Sequence, residues 1–124
     1  MKIIELNYED LNTFDVESSA IIFFGSIAEH KSIQAFGNEC ILHKDEEGYP
    51  FISPWNDDSF SVKESTEESF WNRCCIPEYL EANTEIRRNL IRQVITFWEE
   101  WNSTFSVIEL EGGLLYGIFW WTTG

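Results

Sequence analysis

Apolar residues fall along this chain in short runs and helical stripes that predict several strands and two helices. Lys2 to Leu6 has the length of a strand. Ala20-Ile-Ile-Phe-Phe24 is a compact apolar run closed by Gly25, which suits a buried strand better than a helix too short to persist. Glu39 to His43 is a further strand candidate. Tyr49-Pro50-Phe51-Ile52 precedes Ser53-Pro54, and prolines at these spacings confine the stretch to an edge strand or a loop. Phe60-Ser-Val62 is one more short strand. Ser65-Thr-Glu-Glu68 has capping-box spacing ahead of Phe70 and Trp71, so a short helix starts there and stops before Pro77, whose ring suits the first turn of the next helix.

From Pro77 to Trp101 the period changes. At 100° per residue, Tyr79, Ile86, Leu90, Val94, Phe97 and Trp101 share one stripe, which Leu80, Ile91, Ile95 and Trp98 widen. Glu81, Glu85, Arg88, Arg92, Thr96 and Glu99 occupy the opposite arc, with Glu85 in reach of Arg88. The pattern predicts a long amphipathic helix, or two if Asn83-Thr84 caps a later one. Glu99 and Glu100 would crowd its negative end, a placement that a positively charged partner relieves.

Beyond it, Gly112-Gly113 separates Phe105–Glu111 from Leu114–Trp121 and predicts a hairpin with a two-residue primed turn. That turn pairs Leu110 with Leu115, Ile108 with Gly117 and Ser106 with Phe119 on an apolar face. The other face is mixed and carries Glu109, Glu111, Tyr116 and Trp120. The expected fold is α+β: a mostly antiparallel sheet with a C-terminal β-hairpin, packed against one long amphipathic helix and a shorter helix.

Composition adds scale and sign. The 124 residues contain no fixed-period repeat or low-complexity linker, which predicts one compact domain over residues 1–124. Hydrophobic residues make up 44%, with 6 Trp and 10 Phe, far too many rings for a solvated disordered tail. Asp and Glu number 22 against 8 Lys and Arg, a formal net charge of −14. Such a field repels phosphate, so nucleic-acid and anionic-membrane binding are excluded as expectations, and a basic protein is the favoured partner. The N-terminus carries charge without an apolar signal segment, and the apolar runs are too short to span a membrane. These features predict a cytoplasmic protein.

Catalytic chemistry has little support in the sequence. Cys40 and His43 have ligand-like spacing, but adjacent Cys74 and Cys75 are awkward joint ligands for one tetrahedral ion, so neither a metal site nor a cofactor is expected. The three cysteines form no regular disulfide framework. Neither His30 nor His43 is marked as a base, and Gly112-Gly113 lacks the context of a phosphate loop. Paired carboxylates for hydrolysis can be picked at will from so many acids, which removes the information. No enzyme activity is expected.

Charge and aromatic content together point to binding. Three acidic groups, Asp45-Glu46-Glu47, Asp57-Asp58 and Glu64 with Glu67 and Glu68, are interleaved with Tyr49, Phe51, Trp55 and Phe60, much as Tyr116 and Trp120 lie near Glu109 and Glu111 in the predicted hairpin. Protein interfaces draw affinity from a few desolvated rings, while surrounding charges steer encounter. The candidate partner-binding residues are therefore Asp45, Glu46, Glu47, Tyr49, Trp55, Asp57, Asp58, Glu64, Glu67, Glu68, Glu109, Glu111, Tyr116 and Trp120.

In size, single-domain character, acidity, aromatic content and lack of an export signal, the chain resembles the small acidic immunity proteins that bacteria make against toxin domains of contact-dependent inhibition and related polymorphic toxin systems. The resemblance implies a cytoplasmic, non-enzymatic inhibitor that binds a cognate toxin, often a basic nuclease, and occludes its active site. Asp45, Glu46, Glu47, Asp57 and Asp58 would then face the lysines and arginines that hold substrate phosphates. The alternative is a protein-interaction or regulatory subunit, self-associating as a homodimer through the hairpin face around Tyr116 and Trp120.

Overall fold

Six strands join in one fully antiparallel sheet of order β1-β2-β6-β5-β4-β3: β1 (Lys2–Leu6), β2 (Ser19–Ser26), β3 (Phe60–Ser65), β4 (Ile91–Glu100), β5 (Ser103–Leu110) and β6 (Leu114–Trp121). The computed structural model describes residues 1–11, 18–74 and 76–122. The expected α+β class and the C-terminal hairpin are present. Among the described residues, four short helices flank the sheet: α1 (Ile27–His30), α2 (Ile33–Leu42), α3 (Glu67–Arg73) and α4 (Pro77–Asn83).

The helices cover both faces. Alternate strand residues Ile21, Phe23, Ile95, Val107, Leu115 and Phe119 pack with Ile33, Phe36 and Cys40 of α2. The intervening residues Ala20, Ile22, Val94, Ile108, Tyr116 and Ile118 pack with Phe70 of α3 and Leu80 of α4. A strand buried on both sides needs apolar residues at nearly every position, and the centre of β4, Val-Ile-Thr-Phe-Trp, is such a run.

This double burial explains the main correction. No long helix spans Pro77 to Trp101. Helix α4 ends at Asn83, a 3-10 turn occupies Arg88–Leu90, and Ile91–Glu100 is the strand β4. A continuous apolar run satisfies a helical stripe as readily as a buried strand, and the β-branched and aromatic content of β4 favours the strand. The break is chemical. Thr84 caps the end of α4, its hydroxyl donating to the Leu80 carbonyl at 2.6 Å and accepting from the Ile86 amide at 3.1 Å. Arg88 turns away from Glu85 and bonds Glu67 at 2.7 Å.

Three smaller corrections concern register and capping. Glu39–His43 is not a strand: α2 runs from Ile33 to Leu42, capped by the Ser32 hydroxyl, which accepts from the Ala35 amide at 3.1 Å. The helix after β3 is capped by Thr66 rather than Ser65, through the Ser69 amide at 3.0 Å. The C-terminal hairpin uses both glycines at positive φ, 98° for Gly112 and 90° for Gly113, as glycine's missing Cβ allows. Glu111 joins them in the loop, drawn aside because its amide donates to the Leu90 carbonyl at 2.8 Å.

Pairing in that hairpin consequently shifts by one residue: Glu109 faces Leu115, Ile108 faces Tyr116 and Ser106 faces Ile118. A one-residue shift between strands exchanges the faces of their side chains. Tyr116 and Trp120 thus leave the side of Glu109 and join that of Ile108 and Ser106, against α3 and α4.

The sheet has two distinct ends. At the glycine end lie Gly112, Gly113 and the start of α2. At the tryptophan end lie the β4–β5 turn with Trp101, the start of β3 and the turn after β1. Among the described residues, no helix is long and apolar enough to cross a membrane.

Candidate protein-binding surface

Between α2 and β3 the chain crosses the tryptophan end as an irregular segment, residues 43–59. The segment is braced within itself and tied to the sheet through Phe51 and Trp55. Lys44 bridges to Pro50, Phe51 packs edge-on to Phe23 and stacks on His43, and the Trp55 amide donates to Glu100 Oε1 at 2.9 Å. The prolines limit the strand pairing available to this stretch, and the expected choice of edge strand or loop resolves as a loop holding one isolated bridge.

Anchoring in this way aims two acidic turns outward. The Asp45 carboxylate organises the first, accepting from the Glu47 amide at 2.9 Å and the Tyr49 amide at 3.0 Å, which leaves Glu46 and Glu47 in solvent. The Asn56 side chain organises the second by accepting from the Asp58 amide at 2.9 Å, with Asp57 and Asp58 exposed. Glu5 borders the hollow beside Asp45, Glu46 and Glu47, while Glu9 and Asp10 occupy the turn after β1. Lys44 is interleaved with these acids. Among the described residues none of Asp45, Glu46, Glu47, Asp57 and Asp58 forms an ion pair; nearby Glu99 takes up Arg73 at 2.6 Å and Lys63 at 3.9 Å on the opposite face of the sheet.

Large rings stand among these carboxylates. Trp55 is 60% exposed, Tyr49 65% and Trp101 78%. The bond from Trp55 to Glu100 places the first tryptophan beside the turn that carries the last. Leu42, at the end of α2, and Phe60, at the start of β3, extend the apolar surface. An aromatic side chain left in water forgoes roughly 1.5–3 kcal/mol of transfer energy, so several such side chains at one end form a surface that burial by a partner would stabilise.

Seven of the fourteen candidate residues lie along this segment: Asp45, Glu46 and Glu47 beside Glu5, then Tyr49 and Trp55, with Asp57 and Asp58 just before β3. The others do not. Glu64 accepts from Gln93 at 3.3 Å, and Glu109 shares that row, toward the glycine end. Glu67 is held by Arg88, Glu68 starts α3, and Glu111 sits in the hairpin loop. Tyr116 is a correction: at 5% exposure it is a core side chain, its phenol pushed above the ordinary value by burial, and Trp120 is partly buried in the same cluster. The hairpin face proposed for a homodimer is therefore covered by the protein's own helices.

Glu100 stands out in the sequence only as a charge at a helix end, and Trp101 is absent from the sequence-derived candidates because the helical stripe assigns it to the core. A strand ending at Glu100 before a Trp-Asn turn would have exposed it. Glu5 gave no local signal; strand pairing alone brings it to this end.

The other chemical candidates resolve as structure. The buried Cys40 thiol points at Gly117 and is pushed far above its usual pKa by burial and then by the charge of Glu39. Cys75 lies outside the described residues. Among those described, no group of three or more His, Cys, Asp or Glu is placed to hold a metal ion. His30 sits at the core edge with Nδ1 2.8 Å from Glu39 Oε2, although the pair lacks hydrogen-bond alignment. Below the sheet, Thr96, Ser106, Glu99, Cys74 and Trp120 line a hollow of about 20 Å³, the space of one water. No protein-family model, curated protein or solved structure matches this chain.

Proposed function

We propose that this chain is a non-enzymatic, cytoplasmic acidic inhibitor, of the kind represented by bacterial immunity proteins, that binds a basic toxin and covers the groove in which the toxin holds its substrate. A nuclease is the favoured toxin, since its phosphate-binding lysines and arginines form the complementary field. The observation that carries the reading is the gathering of Trp55 and Trp101, both mostly exposed, with Asp57, Asp58, Glu46 and Glu47 at one end of the sheet. Carboxylates would replace substrate phosphates at the toxin's cations, and the indole rings would fill adjacent apolar hollows or lie against arginine guanidinium planes. Tyr49 and Asp45 serve the same surface, while Glu64, Glu67, Glu68, Glu109 and Glu111 contribute to the long-range field.

The test is an inhibition assay with the protein encoded by the adjacent gene. Stoichiometric loss of that protein's activity on mixing is expected, together with an association rate that falls as salt rises while dissociation changes little. An uninhibited partner, or association indifferent to salt, would overturn the reading. The second class, a self-associating regulatory subunit, loses its proposed hairpin interface because Tyr116 is buried.

A further inference from the structure

Among the described residues, strand β3 ends the sheet, with one side paired to β4 and no strand on the other. An edge of this kind presents main-chain donors and acceptors to any extended chain. Its side chains are also unusually open: Phe60 is 43% exposed and Val62 37%. The opposite edge differs, since Ile3 and Ile4 of β1 are half-buried and Leu6 is buried.

On the α2 side, β3 borders two hollows. Ile41, Pro50, Ile52 and Pro54 line the first with Phe60, and Asp57 stands at its rim. Ser32, Gln34 and Gln93 line the second with Val62 and Glu64. The order along the groove is thus acid, apolar, apolar, acid: Asp57, Phe60, Val62, Glu64.

We infer that β3 accepts, as a seventh strand, an extended segment of a basic protein, with apolar residues at two alternate positions beside Phe60 and Val62 and a Lys or Arg beside Glu64 or Asp57. The inference deepens the inhibitor reading and rests on it for the sign of the partner's charge. A second copy of this chain is the poorer occupant, because each copy carries net −14 and both would bring Asp57 and Asp58 to the seam.

The experiment pans a phage-displayed random heptapeptide library against the purified protein, then follows amide hydrogen exchange with a selected synthetic peptide bound. Expected are peptides with apolar residues at alternate positions and a flanking Lys or Arg, and slowed exchange in β3. Glu64→Lys should weaken them roughly tenfold and shift a repeated selection toward Asp and Glu. Val62→Pro should abolish binding if that variant folds; Glu64→Lys supplies the test if it does not. Failure to enrich peptides, enrichment without this pattern, protection elsewhere than β3, or dimerisation through β3 would each overturn the inference. Neutralisation of the adjacent-gene product with β3 left unprotected would overturn it while sparing the inhibitor reading. Edge-bound basic peptides with no neutralisation would do the reverse.

Discussion

Gly37 of α2 lies directly against the ring of Phe97 in β4, so close that a Cβ on the glycine would overlap the Cζ and Cε2 carbons. Helix and sheet approach each other at this point because one of them has no side chain. Phe97 is fully buried and lies tilted against Phe105, with ring centroids 5.3 Å apart, which limits its room to move. Gly37→Ala therefore destabilises the protein by about 1–3 kcal/mol, even though alanine favours helix, because an overpacked core must shift backbone or rotamers. Urea denaturation measures it. A stabilised variant would show that α2 does not press on β4 as described.

Thr84 provides a second check, at the place where the helical stripe stops being a helix. Its hydroxyl both donates to Leu80 and accepts from Ile86. Thr84→Val keeps the shape and leaves those two groups without their partner, at a cost of about 1–2 kcal/mol. Thermal or urea unfolding that is unchanged within error would remove the hydroxyl from this role.

The contrast between the two halves of 77–101 shows what the pattern of residues could reveal. Pro77 marks the start of α4, while the predicted extension of that helix to Trp101 is not found. In contrast, Val94, Ile95, Phe97 and Trp98 fit a 3.6-residue stripe only because nearly every residue there is buried, Val94 on one face of the sheet and Ile95, Phe97 and Trp98 on the other. Where burial is two-sided, periodicity carries no information, and β-branching is the better guide. The hairpin was legible from its glycines, but its register depended on the Glu111 amide bonding Leu90, a tertiary contact. On the candidate surface, Asp45, Tyr49, Trp55 and Asp57 can be picked out of the sequence because acids and rings alternate along one short segment. Glu5 and Trp101 reach it only through strand pairing.

Alkaline pH should weaken the fold. Burial raises the Cys40 thiol, with the charge of Glu39 adding to it, and burial also raises the Tyr116 phenol, with Glu85 adding charge and a main-chain hydrogen bond opposing. In each case the folded protein keeps a proton that the unfolded chain gives up, so the unfolded state binds fewer protons and stability falls as pH rises. The loss starts near pH 8.5, where an unfolded thiol ionises, and continues past about 10 for the phenol. Urea midpoints at pH 7, 8.5 and 10 should decline in order, with a shallower decline in Cys40→Ala. Identical profiles for both proteins would refute the cysteine contribution.

Removing the exposed rings separates binding from folding. Trp55 and Trp101 lose little area when the protein folds, so Trp55→Ala and Trp101→Ala should each alter stability by no more than about 0.5 kcal/mol, within the range of surface substitutions. Trp98, one position before the Glu99–Glu100 pair, is the internal control: at 1% exposure, with its indole N–H bonded to Ser103 at 3.3 Å, its replacement by alanine should cost about 3–5 kcal/mol. If the tryptophan end is where a basic partner docks, each exposed-site variant should weaken that complex by 2 kcal/mol or so, in the range of interface anchors, mainly through faster dissociation. Asp57→Asn combined with Asp58→Asn should instead slow association and reduce its dependence on salt. Surface plasmon resonance at low and high ionic strength reads the two effects apart. Tryptophan variants that bind like the parent, together with an unaltered association rate for the double asparagine variant, would move the docking surface away from this end of the sheet.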